Sequence, residues 1–260
     1  MSWWGKVIGG GLGFMLGGPL GAVFGAAFGH NFDKGLSSLG SQTSFSGDVE
    51  RVQTAFFTAT FSIMGHIAKA DGEVSQGEIR LAEDVMRQMN LNAQQKNTAQ
   101  RLFNEGKKAD FPINDVLQQF RVECHRRSNL MQMFMEIQVA IALSDGTLDS
   151  SESRILESAA GILGFSKAEY SAILNRMRAQ RHVHTGDKAG MSLADAYKLL
   201  AINNKVSDQD VKKAYRRQMN QHHPDKLVSK GLPEEMMELA NRKAQDIKSA
   251  YEVIKESRKK

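Results

Sequence analysis

The sequence predicts an all-α protein, and three observations carry that expectation. Only four prolines interrupt 260 residues, while thirteen methionines, which helices accept readily, are present. Apolar residues return at helical spacings, as in Phe56, Phe57, Thr60, Met64 and Ile67. A Ser or Asp followed three residues later by an acid opens several such stretches, as in Ser75/Glu78, Asp149/Glu152, Ser192/Asp195 and Ser207/Asp210.

The bulk composition is that of a globular protein, with 41% hydrophobic and 24% charged residues. Its single cysteine, Cys124, can form no internal disulfide, so nothing argues for an oxidising compartment. The net charge of +5 is unevenly placed. Residues 192–260 hold fifteen Lys/Arg against ten Asp/Glu, which makes an acidic partner surface the natural expectation there.

Residues 1–35 read as a membrane helix. No charge falls between Val7 and Gly29, a run long enough to cross a hydrocarbon core of about 30 Å. Gly5, Gly9, Gly13, Gly17, Gly21, Gly25 and Gly29 recur at every fourth position. On a helix this ladder forms a groove in which a second backbone can lie, the pattern by which small residues drive association in lipid. A homodimer through the membrane helix is therefore expected. Pro19 is tolerable in a membrane helix, where neighbouring groups satisfy the freed carbonyl. A cleaved signal peptide would also fit Lys6 and an apolar run, but it would leave the glycine register without purpose. A glycine-rich soluble helix is the other alternative. The flanking charges do little to orient the segment; a single span with a cytoplasmic body is the preferred arrangement.

Residues 36–48, rich in Ser and Gly, read as a linker. Residues 49–180 then repeat themselves at an offset of 74. Ile67-Ala68 matches Ile141-Ala142, Asp71-Gly72 matches Asp145-Gly146, and Glu78, Arg80 and Glu83 match Glu152, Arg154 and Glu157. Two similar helical halves packed on each other are expected. Oxygen ligands at Asp71, Glu78, Asp145 and Glu152 would suit Ca²⁺ or Mg²⁺, but the alternating acidic series of an EF-hand is missing. An Asp-Gly turn and a capping box explain the same residues, and that is the preferred reading; no cofactor is expected. Cys124 and His125 are adjacent on a helix and point about 100° apart, so they do not form a nucleophile–base pair. The twice-repeated Asp-Gly signature resembles the TerB-like family of all-helical domains. That resemblance implies a partner-binding or regulatory role and little mechanism.

Residues 181–191 read as a second linker, and residues 192–260 as three helices. The second carries Val211, Ala214, Tyr215 and Met219 inward and Lys212, Lys213, Arg216 and Arg217 on other faces. It stops at His222-His223-Pro224, because the residue before proline disfavours the helical region. Pro233 is expected to open the third, with Ala240, Ala244, Ile247, Tyr251 and Ile254 as its inner stripe. The blocks Asp195–Ile202 (DAYKLLAI), Lys213–Arg217 (KAYRR), His223–Lys226 (HPDK) and Ser249–Ile254 (SAYEVI) together resemble a J domain. Ala201 and Ala244 depart from that pattern, where many J domains carry Gly and an aromatic. No Gly/Phe-rich or zinc-binding client region is seen. The resemblance implies an Hsp70 partner contacted by His223, Pro224, Asp225, Lys212, Lys213, Arg216, Arg217 and Lys226, with no catalysis by the chain itself. Nucleic-acid binding by the basic helix competes with this reading, since four Lys/Arg in six residues could follow a phosphate backbone; a charge run is usually a solvated face, and no nucleic-acid partner is expected.

Taken whole, the chain resembles the membrane-anchored DnaJ-like co-chaperones of Gram-negative bacteria. This implies an inner-membrane location, a DnaK-type partner, and an influence on envelope-stress and capsule signalling. A different class of reading makes the chain a membrane-attached scaffold whose TerB-like domain binds the main partner or an unknown client. The anchor has a direct test. Alkaline carbonate washing should leave the full-length chain in the membrane fraction, and its release would remove the anchor.

Overall fold

The computed structural model describes residues 44–70, 80, 83–87, 91–144, 146–185, 191–233 and 236–259. The seven ladder glycines and Asp71, Glu78 and Asp145 lie outside the described residues. Among those described, every regular element is helical, as the sequence predicts.

The first unit comprises α1 (Ser44–Ile67), α2 (Ala93–Gly106), α3 (Ile113–Glu123), α4 (Ser128–Ala142), α5 (Ser150–Leu163) and α6 (Lys167–Thr185). Residues 83–87 are also helical. The 74-residue offset carries α2 onto residues 167–180, inside α6. Helix α1 packs on α2, α3 and α4; α4 packs on α5 and α6. Phe56, Phe120 and Phe134 form a ring ladder at the centre, with centroid spacings of 5.9 and 4.7 Å.

Two glycines set the closest helix crossing. A Cβ on Gly65 would stand 1.9 Å from the Phe103 carbonyl oxygen, and one on Gly106 would stand 1.7 Å from that of Ser62. The backbones of α1 and α2 touch there, and no side chain fits between them.

The second unit comprises α7 (Leu193–Leu199), α8 (Asp208–His222), α9 (Pro224–Val228) and α10 (Met237–Ser257). Helix α10 packs on α7, α8 and α9 around Leu200, Val211, Ala214, Ile247, Ala250 and Ile254. Tyr215 stacks on Tyr251 at 4.4 Å. Helix α10 is described from Met237, and the Met236 N–H closes a turn onto the Pro233 carbonyl at 2.9 Å just before it; residues 234–235, where the expected start falls, lie outside the described residues.

Both expected linkers differ locally from the structure. Helix α1 already starts at Ser44, and α6 continues to Thr185. The reason in α6 is packing. Tyr170, Ile173 and Met177 lie in the first core, while Ala179 and Val183 lie in the second. One helix thus serves two cores, and the extra turns are held by apolar burial.

Helix α7 ends in a Schellman motif. The Ile202 N–H reaches the Tyr197 carbonyl at 3.1 Å and the Ala201 N–H reaches that of Lys198 at 2.9 Å. This forces Ala201 to φ +53°, in the left-handed region. Glycine meets no Cβ penalty there, so Ala201→Gly should stabilise the chain by about 1 kcal/mol. A rise in the urea midpoint at constant m-value checks it.

Candidate functional site

Ser207 caps α8, accepting the Asp210 N–H at 3.2 Å and donating its own hydroxyl to Asp210 Oδ2 at 2.7 Å. Asp208 and Asp210 complement the helix dipole in the first turn. Lys212, Lys213, Arg216 and Arg217 follow in two i,i+4 rows, all exposed. Lys213 approaches Asp210 at 3.7 Å on the surface. The helix stops at His223, whose φ of −64° and ψ of 123° are extended, and Pro224 becomes the first residue of α9.

His223, Pro224 and Asp225 therefore turn the corner between α8 and α9. The Asp225 side chain is 88% exposed and that of His223 44% exposed, while Pro224 is buried. His223 Nδ1 stands 4.0 Å from Asp225 Oδ2 and makes no hydrogen bond. The cavity lined by Ile113, Asn114, Ser151 and Arg154 belongs to the first unit. Lys226 is exposed and its ammonium pairs with Asn220 Oδ1, bracing the end of α8.

The root of this hairpin is seated on the first unit. Leu227, Leu232, Met236 and Ala240 join the core of α1–α6 rather than that of α7–α10. Glu136 of α4, 1% exposed, lies at the centre of the contact. Its carboxylate meets Lys243 Nζ at 2.7 Å, His222 Nε2 at 3.0 and 3.2 Å, and Arg176 at 3.8 Å. Arg176 in turn donates to Gln218 Oε1 at 2.7 Å, and His222 Nδ1 faces the Gln218 carbonyl at 3.0 Å. Both His222 nitrogens thus stand within hydrogen-bonding distance of oxygen atoms. Burial pushes the Glu136 carboxyl up, yet the nearby His222 and Lys243, the His222 hydrogen bond and Arg176 outweigh it and hold the group well below the usual carboxylate range.

Comparison with known proteins agrees with this division. Residues 57–175 match the family model for tellurite resistance protein TerB, and residues 195–260 match the DnaJ domain. Residues 1–39 match the co-chaperone DjlA transmembrane domain. Over 99% of both chains, the sequence is 47% identical to the co-chaperone protein DjlA of Shewanella oneidensis. It is 42% identical to that of Vibrio cholerae over 99% of both chains, and 41% identical to that of Photobacterium profundum over 98% of this chain and 99% of the relative. The chain belongs to the DjlA family of co-chaperones. No solved structure matches it.

As a DjlA-family chain it is an all-helical, membrane-anchored J-domain co-chaperone. Among the described residues no helix is long and apolar enough to cross a membrane. The structure gathers His223, Pro224 and Asp225 at one tip, directly beyond the basic face of α8. Glu152 sits in a capping box: its Oε2 accepts the Asp149 N–H at 3.0 Å while the Asp149 side chain accepts the Ser151 N–H at 2.6 Å. No group of three or more metal-ligating side chains occurs among the described residues. Cys124 is fully buried, and its thiol is pushed up to about 12, chiefly by burial. His125 is exposed.

Sequence reasoning missed Glu136, His222 and Lys243. A signal existed for two of them. Glu136 is the one acid in the run from Ser128 to Ala142, and Lys243 falls in register with Ala240 and Ile247 on a stripe that is otherwise apolar. The buried stripe of α10 is Ala240, Lys243, Ile247, Ala250 and Ile254, one position away from the expected one at Ala244 and Tyr251.

Glu136→Gln keeps the shape and removes the charge that neutralises this cluster. It should cost about 3–5 kcal/mol of unfolding free energy at neutral pH. Because the folded carboxyl is held low, its contribution is complete above the ordinary carboxylate range and disappears as pH falls through the lowered value. The gap between wild type and variant in urea unfolding should stay constant from neutral to about pH 5 and shrink in stronger acid. A gap that widens on acidification would contradict this.

Proposed function

We propose that this chain stimulates ATP hydrolysis by an Hsp70 of the DnaK type and directs that chaperone to clients near the membrane. The supporting observation is the tip itself: His223 and Asp225 reach solvent immediately beyond a helix face of four unburied cations. Lys212, Lys213, Arg216 and Arg217, with Lys226, steer an acidic Hsp70 surface onto α8, since such charges raise association rates and fix orientation. Pro224 stiffens the corner. His223 and Asp225 then make polar contacts that favour the hydrolysis-competent state of the partner. The chain regulates another protein's active site and is not itself an enzyme.

In the same proposal residues 1–35 form a single inner-membrane span with a cytoplasmic body, and residues 36–48 join it to the TerB-like domain at 49–180. Residues 181–191 lead to the J domain at 192–260. Gly5 to Gly29 of the ladder pair two copies. The TerB-like domain selects the client, with envelope-stress and capsule signalling components as candidates. The J-domain part is tested by single-turnover ATP hydrolysis with a DnaK-type Hsp70. Wild type should accelerate the turnover and His223→Gln should reduce the acceleration at least about tenfold. Equal stimulation by both would defeat the reading.

A further inference from the structure

The end of α8 is completed by a helix from the other unit. The last carbonyls of any α-helix lack partners within it. Here Asn129 Nδ2 donates to the Gln221 carbonyl at 3.0 Å and lies 3.5 Å from that of Asn220. Asn129 Oδ1 accepts from Lys230 Nζ at 3.2 Å, on the far side of the hairpin. Gln132 Nε2 donates to Glu136 Oε1 at 3.0 Å and stands 3.5 Å from His222 Nε2. Glu136 takes His222, the residue before the His-Pro-Asp tip. Positions 129, 132 and 136 are spaced three and four apart, so they form one stripe along α4.

This stripe lies in the TerB-like unit, outside the residues that match the DnaJ domain. Apolar contact at Leu227, Leu232 and Met236 supplies adhesion but little direction. Hydrogen-bonded charges in a dry contact admit one orientation. The approach is close as well: a Cβ on Gly231 would stand 2.8 Å from Val52 Cγ1 of α1. The seat holds the hairpin from behind. Lys212, Lys213, Arg216, Arg217 and Asp225 all stay exposed while it does so.

We propose that Asn129, Gln132 and Glu136 are positioning residues for the J domain, holding the end of α8 so that His223 and Asp225 leave the tip at the angle the Hsp70 requires. The seated arrangement is then the form that engages the partner. This rests on the Hsp70 reading above.

The test uses the full-length chain in detergent micelles and single-turnover ATP hydrolysis by a DnaK-type Hsp70, titrated over co-chaperone concentration. Glu136→Gln should lower the maximal stimulated rate about tenfold, because it removes a charge-assisted hydrogen bond to the hairpin root. The half-maximal concentration should stay within about twofold, since the steering face of α8 is untouched. A variant that merely unfolded in part would instead raise that concentration. Asn129→Ala, at a half-buried surface position, should lower the maximal rate about threefold without disturbing the core. Glu136→Gln combined with His222→Gln should be no worse than the poorer single variant, as expected if the carboxylate acts through that ring. Maximal rates equal to or above wild type in both Glu136→Gln and Asn129→Ala would overturn the proposal, as would a change confined to half-saturation. Full stimulation by His223→Gln would show that the underlying Hsp70 reading had failed instead.

Discussion

A carboxylate taken out of water is costly unless charge and hydrogen bonds replace its hydration. Glu136 meets that condition only because four helices converge on it: α4 carries it, α6 brings Arg176, α8 brings His222 and α10 brings Lys243. Withdraw α8 and α10, and the acid keeps one charged partner, Arg176 at 3.8 Å, beside the neutral Gln132 amide of its own helix at 3.0 Å. The electrostatics of this one side chain therefore tie the conformation of the TerB-like unit to the presence of the J domain. Neighbouring contacts accompany it: Leu227, Leu232 and Met236 pack into the first core beside the hairpin root.

Helix α6 enforces the same coupling through the backbone. It contributes Ile173 to one core and Ala179 to the other, and its polar side chains reach both α8 and α10. Gln180 donates to Asp246 at 2.6 Å, one turn beyond the Arg176 contact with Gln218. A continuous helix is stiff over this length, so the two cores share one rigid beam.

Most of the architecture was legible in sequence because it depends on local rules. The caps at Asp149, Ser192 and Ser207 are short-range hydrogen bonds between residues two or three apart, and the structure shows each of them. The hairpin tip was legible because proline dictates where α8 must stop. The Gly65–Gly106 crossing was not, since two glycines so distant in sequence announce nothing until the helices that carry them are placed together. Nor was the seat. Its partners are 86 residues apart between Glu136 and His222, and a lone charge in an apolar helix does not name its counter-ion. The left-handed Ala201 stands between these cases: its departure from the glycine of many J domains was visible, while the strain it carries required the backbone angle.

The order in which the chain is made gives the Glu136 cluster another meaning. Synthesis runs from the N-terminus, so the acid exists long before either His222 or Lys243. A nascent TerB-like unit must keep that carboxylate hydrated, which leaves the face of α4 wet and its apolar neighbours incompletely closed. Closure waits for residues 222–243, which lie within the J domain. The segment that would summon a chaperone to other proteins is thus the segment whose arrival finishes the folding of its own.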